Sequence, residues 1–366
     1  MSTLATNAIT DAAGGNTATI NGQTPTESNM AGRNRLINSD MRIDQRNAGA
    51  AVTPTDGQYT ADRWNAGLTQ ASKFSVQQSS VAPAGFTNSL LVTSLSAYSV
   101  ESGDLFRVSQ FIEGFNTSDL GWGTANAEPV TLSFWVRSSL TGTFGGSLIN
   151  GAQDRSYPFS YTISSADTWE QKSVTIAGDT TGTWLTTNGI GIRLTFGLGA
   201  GSSFSDTAGA WAGTTLVSVT GATSVVGTSG ATFYITGVQL EKGSTATSFD
   251  YRPYGTELQL CQRYFARVKG NGSNSYSYGT GIQPTPTTGV VYTKYPCTMR
   301  STPTITGSGI QLTDYTGFAT NATIATTGAG FDSAQIELSM SSNGASLRPI
   351  AGYVPSTGYL DFASEL

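Results

Sequence analysis

The chain alternates apolar and polar residues over short stretches, and clusters of Gly, Pro, Ser, Thr and Asn separate these stretches. The clearest stretch is VTLSFWVRSS, residues 130–139, in which Val130, Leu132, Phe134 and Val136 face one way. A period of two is that of a β-strand with one buried face. Similar alternation in KFSV, KSVTI and GIRLTF, with turn signals between them, predicts an all-β fold built as a sandwich.

One alternating stretch, FYITGVQLEKG, is interrupted in the middle. Phe233 and Ile235 share one face, whereas Val238 and Leu240 fall out of phase with them. Gly237 lies at the break. An extra residue hosted by glycine bends a strand and restores its phase, so the pattern predicts a β-bulge at Gly237.

A single segment, TELQLCQRYFARVKG at residues 256–270, has a helical period. Thr256 is the predicted N-cap, Gln259 completes a capping box and Gly270 ends the helix. The apolar stripe of this helix contains Leu258, Cys261 and Phe265. We expect a short helix that links one β unit to a second, which contains VVYTKYP, TPTITG, AQIELSM and GYLDF as candidate strands.

Composition and charge narrow the possible partners. Charged residues make up 12% of the 366, the net charge is −5 and the 19 basic residues are scattered, which disfavours nucleic acid. No apolar run is long enough for membrane insertion, and the N-terminus has no standard export signal. Cys261 and Cys297 match no zinc spacing, and we expect two free, packed thiols.

The sequence contains no histidine, which excludes the catalytic triads and metal sites that need an imidazole. No nucleotide-binding glycine loop is present, and GDTTGT at residues 178–183 is predicted to be a plain turn. Glycoside hydrolysis needs only two carboxylates and stays open on residue types alone. The available acids are Asp104, Glu113, Asp119, Glu170 and Asp179. We expect no enzyme and no cofactor; structural Ca²⁺ is compatible with the fold, but no DxDxDG loop indicates it.

Aromatic side chains are the candidates for binding, because sugar rings stack on flat side chains while their hydroxyls bond to polar groups. Trp122 (LGWGTAN) and Trp211 (AGAWAG) lie in Gly-rich loops, where we expect exposed stacking platforms. Tyr315 and Phe318 lie in a distal DYTGF loop and are further glycan-stacking candidates. Three other aromatics are predicted to be core residues: Trp64, Phe134 and Trp169.

Several segments in a fixed order resemble phage and prophage tail fibre proteins. They are ITDAAGGNTATINGQTPTESNMAGRNRLINSDMRIDQRN, YTADRW, QFIEGF, PVTLSFWVRSS, WEQKSVTI and FYITGVQLEKGSTATSFDYRPYGTELQLCQRYF. The resemblance covers roughly residues 9 to 265. The central region is also similar to jelly-roll carbohydrate-binding modules, through the SFW strand, the Trp-led strand and the strand ending in VQLE.

The resemblance implies a homotrimer in the virion, assembled in the host cytoplasm, with its N-terminal segment bound to a tail or baseplate protein. It also implies host-surface attachment, with a cell-surface glycan as a candidate partner. Two alternatives stay open: a soluble glycan-binding module, and a capsid decoration or tail adaptor that binds only virion proteins. The expected domains are an extended attachment and oligomerisation segment (1–35), a jelly-roll β-sandwich (36–255), the linking helix (256–270) and a distal small β-sandwich (271–366).

Overall fold

The computed structural model describes residues 32–270, 276–314, 319–341 and 347–366. Most of the expected attachment segment therefore lies outside the described residues. Tyr315 and Phe318, the two distal glycan candidates, lie outside them as well. The all-β prediction is confirmed for the described part of the chain, which contains many strands and one α-helix.

The first β unit is a jelly-roll sandwich of two five-stranded antiparallel sheets, with a small extra pair of strands. Sheet 1 has the order β1-β4-β9-β6-β7, and sheet 2 has the order β2-β3-β12-β5-β8. The bounds are β1 Trp64–Leu68, β2 Phe74–Ser79, β3 Ser89–Ser94, β4 Leu105–Glu113, β5 Val130–Ser138, β6 Gly142–Asn150, β7 Ser156–Ile163, β8 Glu170–Ile176, β9 Ile190–Ala200, β10 Ser205–Asp206, β11 Ser218–Val219 and β12 Thr232–Lys242. Short 3-10 turns occupy Gly114–Asn116, Ser118–Leu120 and Ser202–Phe204.

The core lies between the two sheets and follows the predicted alternation. Phe134 and Val136 of β5 are fully buried, as is Phe196 of β9 from the opposite sheet. Phe134 and Phe196 meet edge to face, with ring centroids 5.0 Å apart. The period of two along each strand thus assigns one face of each sheet to this shared core.

The second β unit contains a closed barrel of order β14-β15-β19-β18-β17-β20 and a three-stranded sheet of order β13-β21-β16. The small C-terminal sandwich expected from the sequence is thus, in detail, a barrel with a sheet beside it. The bounds are α1 Tyr254–Gln262, β13 Phe265–Lys269, β14 Tyr276–Thr285, β15 Thr288–Lys294, β16 Thr304–Ser308, β17 Gln311–Thr313, β18 Ala319–Ala329, β19 Ser333–Met340, β20 Arg348–Val354 and β21 Tyr359–Ala363.

The linking helix is shorter than predicted and begins differently. It ends at Gln262, and the rest of the predicted helix is mostly strand β13, which pairs with β21. The N-cap position is Pro253, with no side-chain hydrogen bond, so the predicted capping box at Thr256 is wrong. The local helical period assigns the residues of β13 to the helix, but they pair instead with β21, a strand far along the chain. Both cysteines are free thiols, as expected, and Cys261 is buried.

Candidate functional site

The outer face of sheet 2, which we call the open face, carries a row of aromatic side chains. In β5, Trp135 points away from the core because its neighbours Phe134 and Val136 point into it. Tyr234 does the same in β12, between the buried Phe233 and Ile235. Directly opposed residues of antiparallel strands share a face, so the polar residues opposite these rings lie on the same surface.

Trp169 extends this row, immediately before the first residue of β8. Its ring lies edge-on to Tyr234, with centroids 6.0 Å apart. The Arg137 guanidinium lies 5.1 Å from the centroid of the Tyr234 ring. It is held there by Asp167, whose carbonyl oxygen accepts from Arg137 Nε at 2.9 Å and whose carboxylate accepts from Nη2 at 3.2 Å. Arg137 and Asp167 therefore neutralise each other beside these rings.

A second aromatic group continues the row beyond Trp135. The rings of Phe86, Phe249 and Tyr251 contact one another, with centroids 4.8 to 5.5 Å apart. A Cβ atom at Gly237 would lie 2.5 Å from Phe86 and 3.2 Å from Trp135, so the bulge brings both groups close together. Tyr251 is 52% exposed, and its hydroxyl donates to the Gly85 carbonyl.

Hydroxyl and amide groups complete the open face at its β8 edge. Gln171, Ser173 and Thr175 are exposed there. A hollow of about 390 Å³ lies between β8 and the loop after β12, lined in part by Gln171, Ser173 and Thr247. Lys172 also lines this hollow, and its charge is paired with that of Glu170 at 2.6 Å. Thr175 fixes that loop by donating to the Ser244 carbonyl at 3.1 Å. Stacking rings beside uncharged hydrogen-bonding groups form a surface suited to a neutral, ring-shaped polar ligand.

The two loop tryptophans predicted as exposed platforms lie elsewhere, in a compact cluster at one end of the sandwich. The rings of Trp122, Trp184 and Trp211 contact one another edge to face, with centroids 4.7 to 5.4 Å apart. Trp122 is only 7% exposed, so its prediction as an open platform is wrong; Trp211 is half-buried. The physical reason is that indoles from three loops cover one another.

Hydrogen bonds tie each indole of this cluster to a neighbouring backbone carbonyl. Trp122 Nε1 donates to Glu128 at 2.7 Å, and Trp211 Nε1 donates to Ala177 at 2.8 Å. Trp184 Nε1 donates to the Thr181 carbonyl at 3.2 Å. A buried indole N–H needs such a partner, and here the partners come from the protein itself. The cluster holds the loops together.

Asp179 anchors the same end of the sandwich. Its two carboxylate oxygens accept from Arg155 at 2.7 and 2.8 Å, and Oδ1 also accepts from the Thr181 backbone N–H at 3.1 Å. Burial acts to raise the pKa of Asp179, but the hydrogen bonds from Arg155 and Thr181 outweigh it and the pKa is lowered. The GDTTGT segment is therefore a turn closed by its own aspartate.

The other carboxylates considered for hydrolysis are also occupied by structural partners. Those partners are Tyr98 and Thr69 for Asp104, Arg263 and Tyr264 for Glu113, Arg35 for Asp119, and Lys172 for Glu170. The hydrogen bond from Lys172 lowers the pKa of Glu170. A general acid needs the opposite shift, so Glu170 and Asp179 lack the tuning of a glycosidase acid.

Neither a metal site nor a membrane span is found in the described ranges. Among those residues, no group of three or more acids or cysteines is arranged to hold a metal ion. No described helix is both long enough and apolar enough to cross a bilayer.

Sequence reasoning missed most of the open face. Trp169, predicted as core, is half-buried and contacts Tyr234. The sequence patterns above assign no role to Tyr234 or Phe86. The alternation itself contained the signal for Tyr234 and Trp135, because each lies between two core residues of its own strand. No local pattern marks Phe86, whose position depends on the bulge in a distant strand.

Comparisons with known proteins give only distant likenesses. No protein-family model matches the chain, and no curated protein matches its sequence. The enzymatically active domain of tailspike protein 4 of bacteriophage CBA120 matches 52% of this chain at 13% identity and a TM-score of 0.30. That match spans only 21% of the tailspike chain.

Two further matches span nearly all of the other chain. A candidate sugar-binding protein of Bacteroides thetaiotaomicron matches at 12% identity and a TM-score of 0.36, over 58% of this chain and 100% of its own. The family 11 carbohydrate-binding module of Clostridium thermocellum was solved with a β-1,3-1,4-mixed-linked tetrasaccharide. It matches at 10% identity and a TM-score of 0.28, over 55% of this chain and 98% of its own. Likenesses this weak carry no argument about function.

Proposed function

We propose that this chain is a non-catalytic structural component of a phage tail, a fibre or fibre-like appendage, and that its open face binds a saccharide of the host surface. The observation that carries the saccharide part is the row formed by Trp135, Tyr234 and Trp169. These rings are half-buried, lie on or directly beside one sheet, and have hydroxyl and amide groups next to them. Apolar faces of sugar rings stack on such side chains, while the ring hydroxyls bond to the polar groups.

The tail assignment is supported by the sequence resemblance to tail fibre proteins. In this proposal residues 1–35 attach the protein to a tail or baseplate protein, and three copies assemble into a homotrimer in the virion. Arg35 donates to both carboxylate oxygens of Asp119, at 2.9 and 2.7 Å, which would anchor the end of that segment to the sandwich. Several copies of a weak saccharide site gain avidity by acting together.

The test of the saccharide site compares variants of the open face with a matched control. Trp135→Ala and Trp169→Ala should each weaken binding of the full chain to host-envelope polysaccharide by about five- to tenfold, since one lost stacking contact contributes roughly 1 to 1.4 kcal/mol. Phe331→Ala, which removes an exposed aromatic ring from the second β unit, should leave binding unchanged. The measurement is a titration followed by intrinsic fluorescence or calorimetry.

The outcomes separate the proposal from its alternatives. If the unsubstituted protein binds no host polysaccharide, the saccharide role is wrong and a tail adaptor or capsid decoration becomes the better assignment. If it binds as a monomer, the soluble glycan-binding module is favoured. If the control variant loses as much affinity as the two tryptophan variants, the binding surface lies outside the open face.

A further inference from the structure

Two arginines lie on the outer face of sheet 1, on the opposite side of the sandwich from the open face. Arg107 is in β4, and Arg193 is in the neighbouring strand β9. Between them along the paired strands lie Ser109 and Thr195, directly opposed, with their hydroxyl oxygens 3.0 Å apart. Arg107 arches over Gly67 of β1, where even a Cβ atom would lie 2.4 Å from its Nε.

Both guanidinium groups have buried N–H donors without acceptors. Arg193 is 6% exposed; its Nη1 donates to Gln153 Oε1 at 3.1 Å, but no acceptor reaches its Nε. Arg107 is partly exposed, and its Nε and Nη1 are buried without an acceptor. Within the described ranges no carboxylate lies within 4.0 Å of either side chain.

This arrangement differs from that of other buried and half-buried arginines in the same structure. Arg63 is paired with Glu365, and Arg155 and Arg267 each make a two-pronged pair with an aspartate. Buried cations are normally paired in this way, because removing a charge from water is costly. Arg107 and Arg193 instead lie on one face of paired strands, four register positions apart, and neither has a carboxylate partner among the described residues.

The electrostatics of the pair agree with the geometry. Burial, and then repulsion by Arg107, lower the pKa of Arg193 to about 10. The carboxylate of Asp56 acts on both arginines only at longer range, and one of its oxygens already accepts from the Leu68 backbone N–H at 2.9 Å. The Phe111 ring lies 4.6 Å from the Arg193 guanidinium and also favours the cation.

We propose that Arg107 and Arg193 form a binding site for an oxyanion group, a carboxylate or phosphate such as acidic polysaccharides carry. A planar guanidinium matches the two oxygens of such a group, and charge-assisted hydrogen bonds from the guanidinium nitrogens would compensate two cations that no carboxylate pairs in the described ranges. The bound anion would also relieve the repulsion between the two cations. The site lies on a different sheet from the open face and does not rest on the function proposed for that face.

The test uses the full chain and follows its melting temperature at constant ionic strength. Sodium D-glucuronate and sodium phosphate are the two anions, and D-glucose is the neutral control. We expect a saturable rise in melting temperature with at least one anion, because a ligand that binds only the folded state stabilises it. The anion that saturates at the lower concentration identifies the source of the oxyanion.

Substitutions assign the effect to the two arginines. Arg107→Gln and Arg193→Gln should each weaken anion binding by about tenfold or more, while Lys294→Gln, with the same loss of one charge on the second β unit, should leave it unchanged. If Arg193→Gln does not fold, Arg107→Gln can still be compared with Lys294→Gln, because Arg107 is partly exposed. The proposal is overturned if neither anion raises the melting temperature, or if Arg107→Gln keeps the full shift.

Discussion

Gly237 illustrates what one residue does to the geometry of a strand. Its φ of +58° lies in the left-handed region, and the pairing of β12 with β5 shifts register between Thr236 and Gln239. The predicted bulge is therefore confirmed, and Val238 and Leu240 are both buried as that prediction requires. Glycine is needed for the backbone conformation and also for the close approach of Phe86.

We expect Gly237→Ala to lower the free energy of unfolding by about 3 kcal/mol, from the positive φ together with overpacking against Phe86 and Trp135. Gly230→Ala is the matched control: its φ is +74°, but nothing lies within 4 Å of the added Cβ, so the loss should be about 1 kcal/mol. Urea denaturation measures both. Equal losses would contradict the close approach of Phe86.

Residue type and loop context were insufficient to predict exposure of single tryptophans. Trp122, in a Gly-rich loop, is buried, whereas Trp169, predicted as core, is half-buried on the open face. Glycines around a residue indicate a turn, but they do not indicate which other loops approach it. Exposure of a large side chain depends on neighbours that are distant in sequence.

At the scale of elements, the tryptophan cluster stabilises the loops at one end of the sandwich, whereas the strands of sheet 2 form the open face. Trp122→Ala should therefore lower the free energy of unfolding by about 3 to 5 kcal/mol, as expected for removal of a buried aromatic ring. The affinity of the folded protein for saccharide should stay within about twofold, because the cluster and the open face are separate.

The reverse is expected for Trp135→Ala, which removes a half-buried ring from the open face and should affect binding more than stability. Urea denaturation and saccharide titration of both variants give this crossed comparison. A loss of saccharide affinity in folded Trp122→Ala protein would place the binding surface at the loop end after all.

The linking helix shows where local pattern and long-range pairing compete. Phe265 fits the helical stripe seen in the sequence, yet it begins strand β13 and pairs with Ala363. Arg267 donates to both carboxylate oxygens of Asp361, each at 2.6 Å, and so fixes the register of that pair. Phe265 is buried in β13, and a position on the apolar stripe of a helix would also bury it, so its hydrophobicity does not distinguish the two conformations.

At the scale of the whole molecule, the two β units are joined by polar side chains around the helix. Tyr264 donates its hydroxyl to Glu113 of β4 at 2.6 Å, and Arg263 donates to the same carboxylate at 2.8 Å. Arg63 is paired with Glu365 near the end of the described chain. Each contact joins residues more than 100 positions apart, so the junction has no local signature in the sequence.

We expect the full chain to be a trimer in solution, and we expect the trimer to weaken in a chain that begins at Gly32. That start preserves Arg33 and Arg35, which bond to Ser248 and Asp119 of the first β unit. Light scattering of both proteins measures the mass. A stable monomer in both cases would contradict the tail-fibre proposal and favour a soluble glycan-binding module.

The sequence by itself determined the all-β class, the core face of strands such as β5, the bulge at Gly237 and the free state of the two cysteines. These features follow from the period of side chains along one strand, from one residue's conformational range and from composition. Only the tertiary structure decided which tryptophans are accessible, where the helix ends and that Arg107 and Arg193 share one sheet face with no carboxylate partner in the described ranges. Each of these depends on neighbours brought close by sheet topology, and adjacent residues in the sequence do not encode that proximity.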